Sequence, residues 1–344
     1  MSTQSITLPR PIAATANWII SGREDLIWFI GPALVSYAAL GLMAAGFPLT
    51  PLYLVWLLGI DGPHVLATVT RTYCDPAERK RLGLWLWVVV PASMIGPMMV
   101  LAGAESFFYI FAISWLHYHI AKQHFGFVML YKHKARERDR TDFLLDRYFI
   151  LTSLMLPFGR FAVRNFFAVL PTLPAVQRLD VLLLVAYAAL TGAWLYRQFQ
   201  HWKKGEALNL PKLMLMAAVV PMQWIAFAHA TANLADGLMR VGIVCGLFHS
   251  FQYHRLMWFH NRNRYAEPEP QSGTGMAGIL ARRFVYYFGA AVLLNLVLAV
   301  APSKVMPTSL VKAAIWGIPF THYVLDSRIW RVRGNKELAA ALHL

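Results

Sequence analysis

The segment 115-WLHYHIAKQHFG-126 places three histidines, His117, His119 and His124, inside an apolar stretch that runs from residue 105 to 131. A helix of about 20 mostly apolar residues crosses the roughly 30 Å hydrocarbon core of a bilayer. Ionisable side chains at that depth are costly unless they face the interior of a helical bundle and find polar or ionic partners. The segment therefore predicts a transmembrane helix whose histidines belong to a buried polar site.

Similar apolar stretches recur along the whole chain. Of its 344 residues, 58% are hydrophobic and only 14% are charged, against about 25% in soluble domains. The sequence predicts an all-α, polytopic integral membrane protein that forms a single domain over residues 1–344. Its about ten predicted spans lie near residues 24–47, 51–73, 83–103, 105–131, 143–159, 178–198, 212–231, 237–259, 281–301 and 308–327.

The basic residues indicate which side each loop occupies. With the N-terminus in the cytoplasm, 26 of the 32 Lys and Arg residues fall on the inner side, so the positive-inside rule predicts that both termini are cytoplasmic. Residues 1–23 are then a cytoplasmic leader, 260–280 a cytoplasmic loop that begins with an interfacial His260, and 328–344 a cytoplasmic tail. The net charge of +15 favours anionic membrane lipids as partners, and nucleic acid is excluded because the basic groups lack interleaved aromatic residues. The predicted location is a bacterial inner membrane, crossed many times.

Four predicted spans carry clusters of ionisable groups. All four spans end in the cytoplasm, and all four clusters fall in the inner halves of those spans, so the clusters lie at one depth. Residues three or four apart share a helix face, as Asp61 does with His64 and His322 does with Asp326. We therefore expect histidines of different spans to face each other. The clusters are 61-DGPHVLATVTRTYCD-75, 115-WLHYHIAKQHFG-126, 249-HSFQYHRLMWFH-260 and 322-HYVLDSRIW-330.

A metal ion is the predicted occupant of this site. Neutral imidazole is the commonest metal ligand, and His-rich sites with one or two carboxylates suit iron, zinc or copper. Iron, as one or two ions, is the predicted cofactor, with zinc and copper as alternatives. Arg71 and Tyr253 are the predicted catalytic residues, with lipid headgroups as the alternative partner of Arg71. The predicted ligands are His64, His117, His119, His124, His249, His254, His322, Asp61 and Asp326.

The histidine motifs resemble those of Brp/Blh-type bacterial membrane carotenoid dioxygenases. The likeness lies in the order and style of 61-DGPHVLAT-68, 117-HYHIAKQHFG-126 and 247-LFHSFQYHRL-256. It implies an all-helical enzyme that binds one iron through histidines of separate spans and cleaves β-carotene to retinal. The implied iron ligands are His64, His119 or His124, His249 and His254.

Two further likenesses cover other parts of the chain. The H-x4-H pairs His119/His124 and His249/His254 resemble the histidine boxes of membrane di-iron desaturases and hydroxylases, although the chain has no H-x-x-H-H box. On an ideal helix two such histidines diverge by about 140°, so they reach one ion only across a π-bulge, or else serve two. Nearly the whole chain also resembles bacterial polytopic membrane proteins with D-x-x-H-x-x-A-T, Q-H-x-G-F and H-Y-x-x-D-x-x-I-W patterns, a likeness that implies no activity.

The predicted activity is an O₂-dependent oxidation of a hydrophobic lipid, isoprenoid or hydrocarbon, in which the iron binds and activates O₂. A desaturase or hydroxylase would take electrons from a separate donor protein, whereas a dioxygenase would need none. The alternative hypothesis is a non-catalytic membrane subunit that binds a pigment, a haem or a structural metal within a larger complex.

Overall fold

The computed structural model describes residues 14–15, 17–167, 169–230, 234–265, 275–300 and 307–344. Over these ranges the chain is almost entirely helical, which confirms the predicted all-α class. A two-residue parallel pairing, β1 Ala14–Thr15 with β2 Leu208–Asn209, joins the N-terminal segment to the bundle. The helices of the described residues are α1 Gly22–Ala44, α2 Leu49–Arg71, α3 Pro76–Leu82, α4 Trp85–Leu101, α5 Glu105–Lys134, α6 Arg140–Phe166, α7 Pro174–Lys203, α8 Leu210–Ala228, α9 Leu234–Tyr265, α10 Gly275–Ala281, α11 Phe284–Val300, α12 Thr308–Ile329 and α13 Lys336–Ala341, with a short 3₁₀ turn at Leu170–Thr172.

Four of the described helices, α1, α2, α7 and α8, are long and apolar enough to cross a membrane. Two sharply bent pairs, α3 with α4 at 83° and α10 with α11 at 116°, raise the number to six if each pair counts as one span. This is fewer than the ten spans predicted, although a described helix lies at each of the ten predicted positions. Helices α5, α6, α9 and α12 are long enough, but their histidines and charged side chains lower their mean hydropathy.

Helix α2 contains one π-helical turn, Leu57–Asp61, just before Pro63. Proline lacks an N–H and its ring crowds the carbonyl four residues earlier, so the helix widens there; such turns are frequent at functional sites. The widened turn offers its carbonyls to side chains of other helices. Asn295 Nδ2 lies 3.3 and 3.1 Å from its first two carbonyl oxygens, and His254 Nε2 lies 3.0 Å from the Ile60 oxygen.

Helices α4 and α12 approach closely because each has a glycine at the contact. A Cβ on Gly317 would lie 2.2 Å from the Ser93 carbonyl oxygen, and one on Gly96 would lie 2.4 Å from the Ala313 carbonyl oxygen. Small residues permit this kind of backbone approach between membrane helices. The contact holds α12, which carries His322, against the rest of the bundle.

The structure differs from the predicted inner-side segments at two places. Helix α9 continues to Tyr265, and His260 is fully buried rather than interfacial, because the helix packs there against neighbouring elements. The predicted tail folds back as α13, whose Leu338 is buried and whose Ala341 carbonyl accepts a 2.8 Å hydrogen bond from Asn263. Residues 1–13, 16 and 266–274, which include most of the predicted leader and part of the predicted loop, lie outside the described residues.

Candidate metal centre

Four histidines from four helices meet at one point in the bundle. They are His64 of α2, His119 of α5, His249 of α9 and His322 of α12, and all are at least nine-tenths buried. One ligand nitrogen from each lies within 4.8 Å of the other three. This confirms the expectation that histidines of the four clusters face each other.

The distances fit a single metal ion. His64 Nε2 lies 3.1 Å from His249 Nε2, and His119 Nε2 lies 3.2 Å from His322 Nε2. A metal ion bound at about 2.1 Å separates its ligand nitrogens by about 3.4 Å in a tetrahedron and by about 4.2 Å across a square. The four imidazoles therefore fit an ion at their centre, and neutral imidazole suits iron, zinc or copper.

The ring of His64 is oriented by the π-helical turn of α2. Its Nδ1 donates to the Asp61 carbonyl oxygen at 2.6 Å, which leaves Nε2 as a lone pair directed at the centre. The Asp61 carboxylate lies 3.3 Å from the same Nδ1 and accepts a 2.9 Å hydrogen bond from Ser250, the neighbour of His249. Hydrogen bonds of this kind fix the tautomer and orientation of metal-binding histidines.

The Thr68 hydroxyl and the Asp326 carboxylate orient His322 in the same way. Its Nδ1 lies 2.7 Å from Thr68 Oγ1, and Thr68 donates to Asp326 Oδ1 at 3.3 Å. Tyr253 donates to the same carboxylate oxygen at 2.9 Å, and its hydroxyl lies 2.6 Å from Thr68. Asp326 Oδ2 is 4.0 Å from His119 Nε2, so this carboxylate borders the centre as well as supporting it.

His119 and His249 are held mainly by packing. The His119 ring stacks on Tyr323 with centroids 4.4 Å apart. His249 is fully buried, and its backbone carbonyl accepts a 2.8 Å hydrogen bond from Gln123. Its Nδ1 has no hydrogen-bond partner among the described residues.

Five other predicted ligands lie outside the group of four: Asp61 and Asp326, which support its histidines, and three further histidines. His254 uses both ring nitrogens elsewhere, at 3.0 Å from the Ile60 carbonyl and 3.1 Å from the Tyr287 hydroxyl. The His117 Nε2 donates to the Leu154 carbonyl at 2.9 Å. His124 is fully buried beside Phe248, and neither of its nitrogens finds a partner in the described part of the chain.

The two predicted catalytic residues occupy different positions. Tyr253 lies beside the centre, with its ring centroid 5.2 Å from that of His64. Arg71 lies seven residues further along α2 than His64, which is about 10 Å at 1.5 Å per residue. Its guanidinium donates to the Ile329 carbonyl and stacks on Trp330, so it forms a separate polar layer.

An apolar cavity of about 650 Å³ lies along the same helices, on the N-terminal side of the centre; among the described residues, its lining contains none of the four histidines. Its lining comes from the same four helices, one to a few turns N-terminal to their histidines, together with α6 and α8. Cys245 lies one turn before His249, and Leu116 and Ile120 flank His119. The aromatic and histidine residues of the lining are Tyr53, Trp56, Tyr109, His117, Phe158, Phe161, Phe166, Phe227 and Trp316.

Sequence reasoning missed two supporting residues. Thr68 lies one helical turn after His64 and therefore shares its face, so the period of α2 carried a usable signal. Ser250 directly follows His249, and its bond to Asp61 depends on how α9 packs against α2. Spacing along one helix cannot reveal such a contact.

No match to the chain was found among protein-family models, curated proteins or solved structures. The resemblances to dioxygenases and to desaturases therefore stay predictions.

Proposed function

We propose that the chain is a membrane-embedded, metal-dependent oxidoreductase that uses O₂ to oxidise a hydrophobic small molecule, such as a lipid, isoprenoid or hydrocarbon. The observation that carries this proposal is the convergence of four buried imidazoles on helices that also line an apolar cavity nearer their N-terminal ends. Cavities of about 300–1,000 Å³ with few polar groups are typical of small-molecule sites.

Iron is the proposed metal, held by His64, His119, His249 and His322. When bound, it would supply the O₂ chemistry that no side chain of the chain can supply. Two histidines receive their orientation from Asp61 and from the Thr68–Asp326 pair. Those hydrogen bonds favour neutral imidazoles with Nε2 lone pairs directed inward.

The chain's own residues would bind and orient the substrate. A substrate in the cavity would bury its apolar surface against side chains that are mostly aromatic and aliphatic. His117 lines it with its Nε2 already bonded to the Leu154 carbonyl. The buried Trp56 Nε1 and Tyr109 hydroxyl of the lining, in contrast, have no partner among the described residues and could orient a polar group of the substrate. The Tyr253 hydroxyl donates a hydrogen bond to Asp326 Oδ1, which lies 3.6 Å from His322 Nδ1, so this hydroxyl proton is held beside the centre.

Elemental analysis of the purified protein is the first test. We expect close to one iron per chain in the unmodified protein and very little in a His322→Ala variant. The iron-loaded protein should then consume O₂ when supplied with extracted membrane lipids, and His322→Ala should not. Protein that contains no metal, with its imidazoles hydrogen-bonded to one another, would contradict the proposal. Bound metal without O₂ uptake would contradict it as well. A haem or pigment absorption spectrum would instead support a non-catalytic subunit.

The O₂ balance decides whether a partner protein is required. A dioxygenase places both oxygen atoms in its products. A hydroxylase places one in its product and reduces the other to water, and a desaturase reduces both to water, so each of these two needs electrons from a donor protein. O₂ uptake by the purified chain without added reductant would favour the first class.

We also propose ten spans with both termini in the cytoplasm of a bacterial inner membrane. The 26-to-6 division of Lys and Arg residues supports this topology. Single cysteines placed at residues 136 and 334 should react with a membrane-impermeant thiol reagent only after cells are opened. Labelling of residue 136 in intact cells would contradict the topology.

A further inference from the structure

A second polar cluster lies at the C-terminal ends of three of the histidine-bearing helices. Arg71 of α2, His260 of α9 and Trp330 at the end of α12 stand one layer beyond Tyr253 and Asp326. The guanidinium of Arg71 is 4.3 Å from the Trp330 ring centroid, and the His260 and Trp330 ring centroids are 5.8 Å apart. Arg264, one turn after His260, approaches the cluster from the surface side.

The cluster has more hydrogen-bond donors than acceptors. Arg71 is fully buried and donates to the Ile329 carbonyl at 2.5 Å, but its Nε and Nη1 have no partner within the described residues. Trp330 Nε1 and Arg264 Nη1 are buried and unpartnered in the same sense. Arginine and indole nitrogens can only donate, so all four of these atoms require an acceptor.

Arg71 also lacks a direct counter-charge. Within the described ranges no carboxylate oxygen lies within 4.0 Å of it. The nearby carboxylates Asp75 and Glu78 are held by Arg264, and Glu78 also by Arg81 at 2.5 Å. Burying an unpaired guanidinium is costly, which favours a bound anion.

The hydrogen bonds of His260 indicate which kind of anion the cluster can bind. Its Nδ1 donates to Asn261 Oδ1 at 3.0 Å, because the Asn261 amide nitrogen is committed to Thr70 at 3.2 Å. The buried Nε2 of His260 is therefore an unpartnered acceptor. A site with several donors and one acceptor matches a singly protonated phosphate group, which offers several acceptor oxygens and one O–H. A carboxylate offers no such proton.

We propose that Arg71, His260, Trp330 and Arg264 bind a singly protonated phosphate group, either as free phosphate or as the phosphomonoester headgroup of a lipid such as phosphatidic acid; a phosphodiester headgroup has no O–H for His260. Arg264 is the member nearest the surface, since its Nη2 lies 2.8 Å from Glu337, a side chain that is 69% exposed. This site is separate from the metal centre and does not depend on the proposed oxidation.

The test uses the purified full-length protein in detergent. Its thermal unfolding is followed in sodium phosphate and in sodium chloride of equal ionic strength, and its retained phospholipid is measured by native mass spectrometry. We expect either a phosphate-specific rise in the unfolding temperature, which identifies free phosphate, or one retained phosphomonoester lipid per chain, which identifies a lipid headgroup. Retention of phosphodiester lipids alone would contradict the proposal.

Three variants decide the assignment. Trp330→Phe keeps the ring over Arg71 but removes one donor, and it should weaken phosphate or lipid retention at least about tenfold, the value of one charge-assisted hydrogen bond. Arg71→Gln should abolish it. Arg160→Gln, which alters an arginine paired with Asp180 elsewhere, should leave it unchanged. If Arg71→Gln fails to fold, Trp330→Phe alone decides. Absence of both effects in the unmodified protein, or equal binding by Trp330→Phe, would overturn the proposal.

Discussion

Two buried polar regions of the bundle solve the same problem in opposite ways. Where α5, α6 and α8 meet, Lys132 and Lys212 face Asp146 and Glu137. Lys132 Nζ lies 2.6 Å from Asp146 and 2.8 Å from Glu137, and Lys212 Nζ lies 3.0 and 2.8 Å from the same two groups. Trp194 completes the network with a 2.8 Å hydrogen bond to Asp146. Two cations and two carboxylates satisfy one another there.

The four-histidine centre has no such internal balance. Its imidazoles bring four ring nitrogens to one point, and its two carboxylates are committed to hydroxyl groups and to His64. A buried polar group costs free energy unless it finds a partner. The lysine network is therefore complete in itself, whereas the histidine centre is suited to a guest cation. The contrast shows how a self-sufficient buried cluster differs from a binding site.

Removing one member of the lysine network should give the largest effect on stability. Asp146→Asn leaves Lys132 and Lys212 with one carboxylate between them, and breaking a buried ion pair costs about 3–5 kcal/mol. We expect the free energy of unfolding in detergent to fall by that amount while metal content stays unchanged. Asp180→Asn, which breaks a half-exposed pair with Arg160, should cost less than about 1 kcal/mol. Equal effects of the two changes would show that the network is not a structural support.

Loss of a histidine from the centre should affect the metal rather than the fold. His249→Ala removes one of four ligands, and we expect its metal affinity to fall more than about 100-fold, beyond the usual effect of a supporting residue. His254→Gln keeps a side-chain N–H for the Ile60 carbonyl and should retain metal. Metal content by mass spectrometry and unfolding temperature are measured on both. If the His254→Gln variant loses its metal, His254 is a metal ligand, as the sequence predicted.

The hydroxyl of Thr68 should have a smaller effect on the same centre. Thr68→Val keeps the side-chain shape but removes the partner of His322 Nδ1, and loss of such partners typically lowers metal affinity about 10–100-fold. Thr68→Ser retains the hydroxyl and should restore most of that affinity. Competition with a chelator of known affinity measures both. If valine and serine behave alike, His322 does not take its orientation from this hydroxyl.

The sequence predicted the helices and the meeting of the clusters better than it predicted the ligands. Helical period and apolar length located a helix at all ten expected positions, and a common depth brought His64, His119, His249 and His322 together. The spacing of the histidines along one helix did not show which of them would join the group of four. His119 and His124 differ by five residues, and only the packing of α5 decides which of them faces α2.

His254 is a second residue whose contacts could not be predicted from its spacing in the sequence. Its place outside the group follows from the π-helical turn before Pro63, which presents a free carbonyl at Ile60. The sequence contains the proline, but the partner of the carbonyl is set by contact between α9 and α2. Tertiary contacts also explain why His260 is buried, since its packing partners come from distant parts of the chain.

The smallest expected effect tests the lysine network through pH. Glu137 lies in the loop between α5 and α6, outside the helices. Burial alone would raise the pKa of its carboxyl, but Lys212 and Lys132 outweigh burial and hold that pKa below its ordinary value. A lowered pKa in the folded state means that Glu137 contributes stability above the pKa of the unfolded chain, about 4.3, and loses it as pH falls through the folded pKa.

We therefore expect the unfolding temperature to be steady near neutral pH and to fall in the acid range, more steeply in the unmodified protein than in Glu137→Gln. The glutamine cannot ionise, so its contribution is the same on both sides of that range. Glu105→Gln is the matched control, because Glu105 is exposed and forms no ion pair among the described residues. Parallel curves for the unmodified protein and Glu137→Gln would mean that the lysines are balanced by Asp146 alone. The network would then contain one more cation than its carboxylates balance, and it would not be complete in itself.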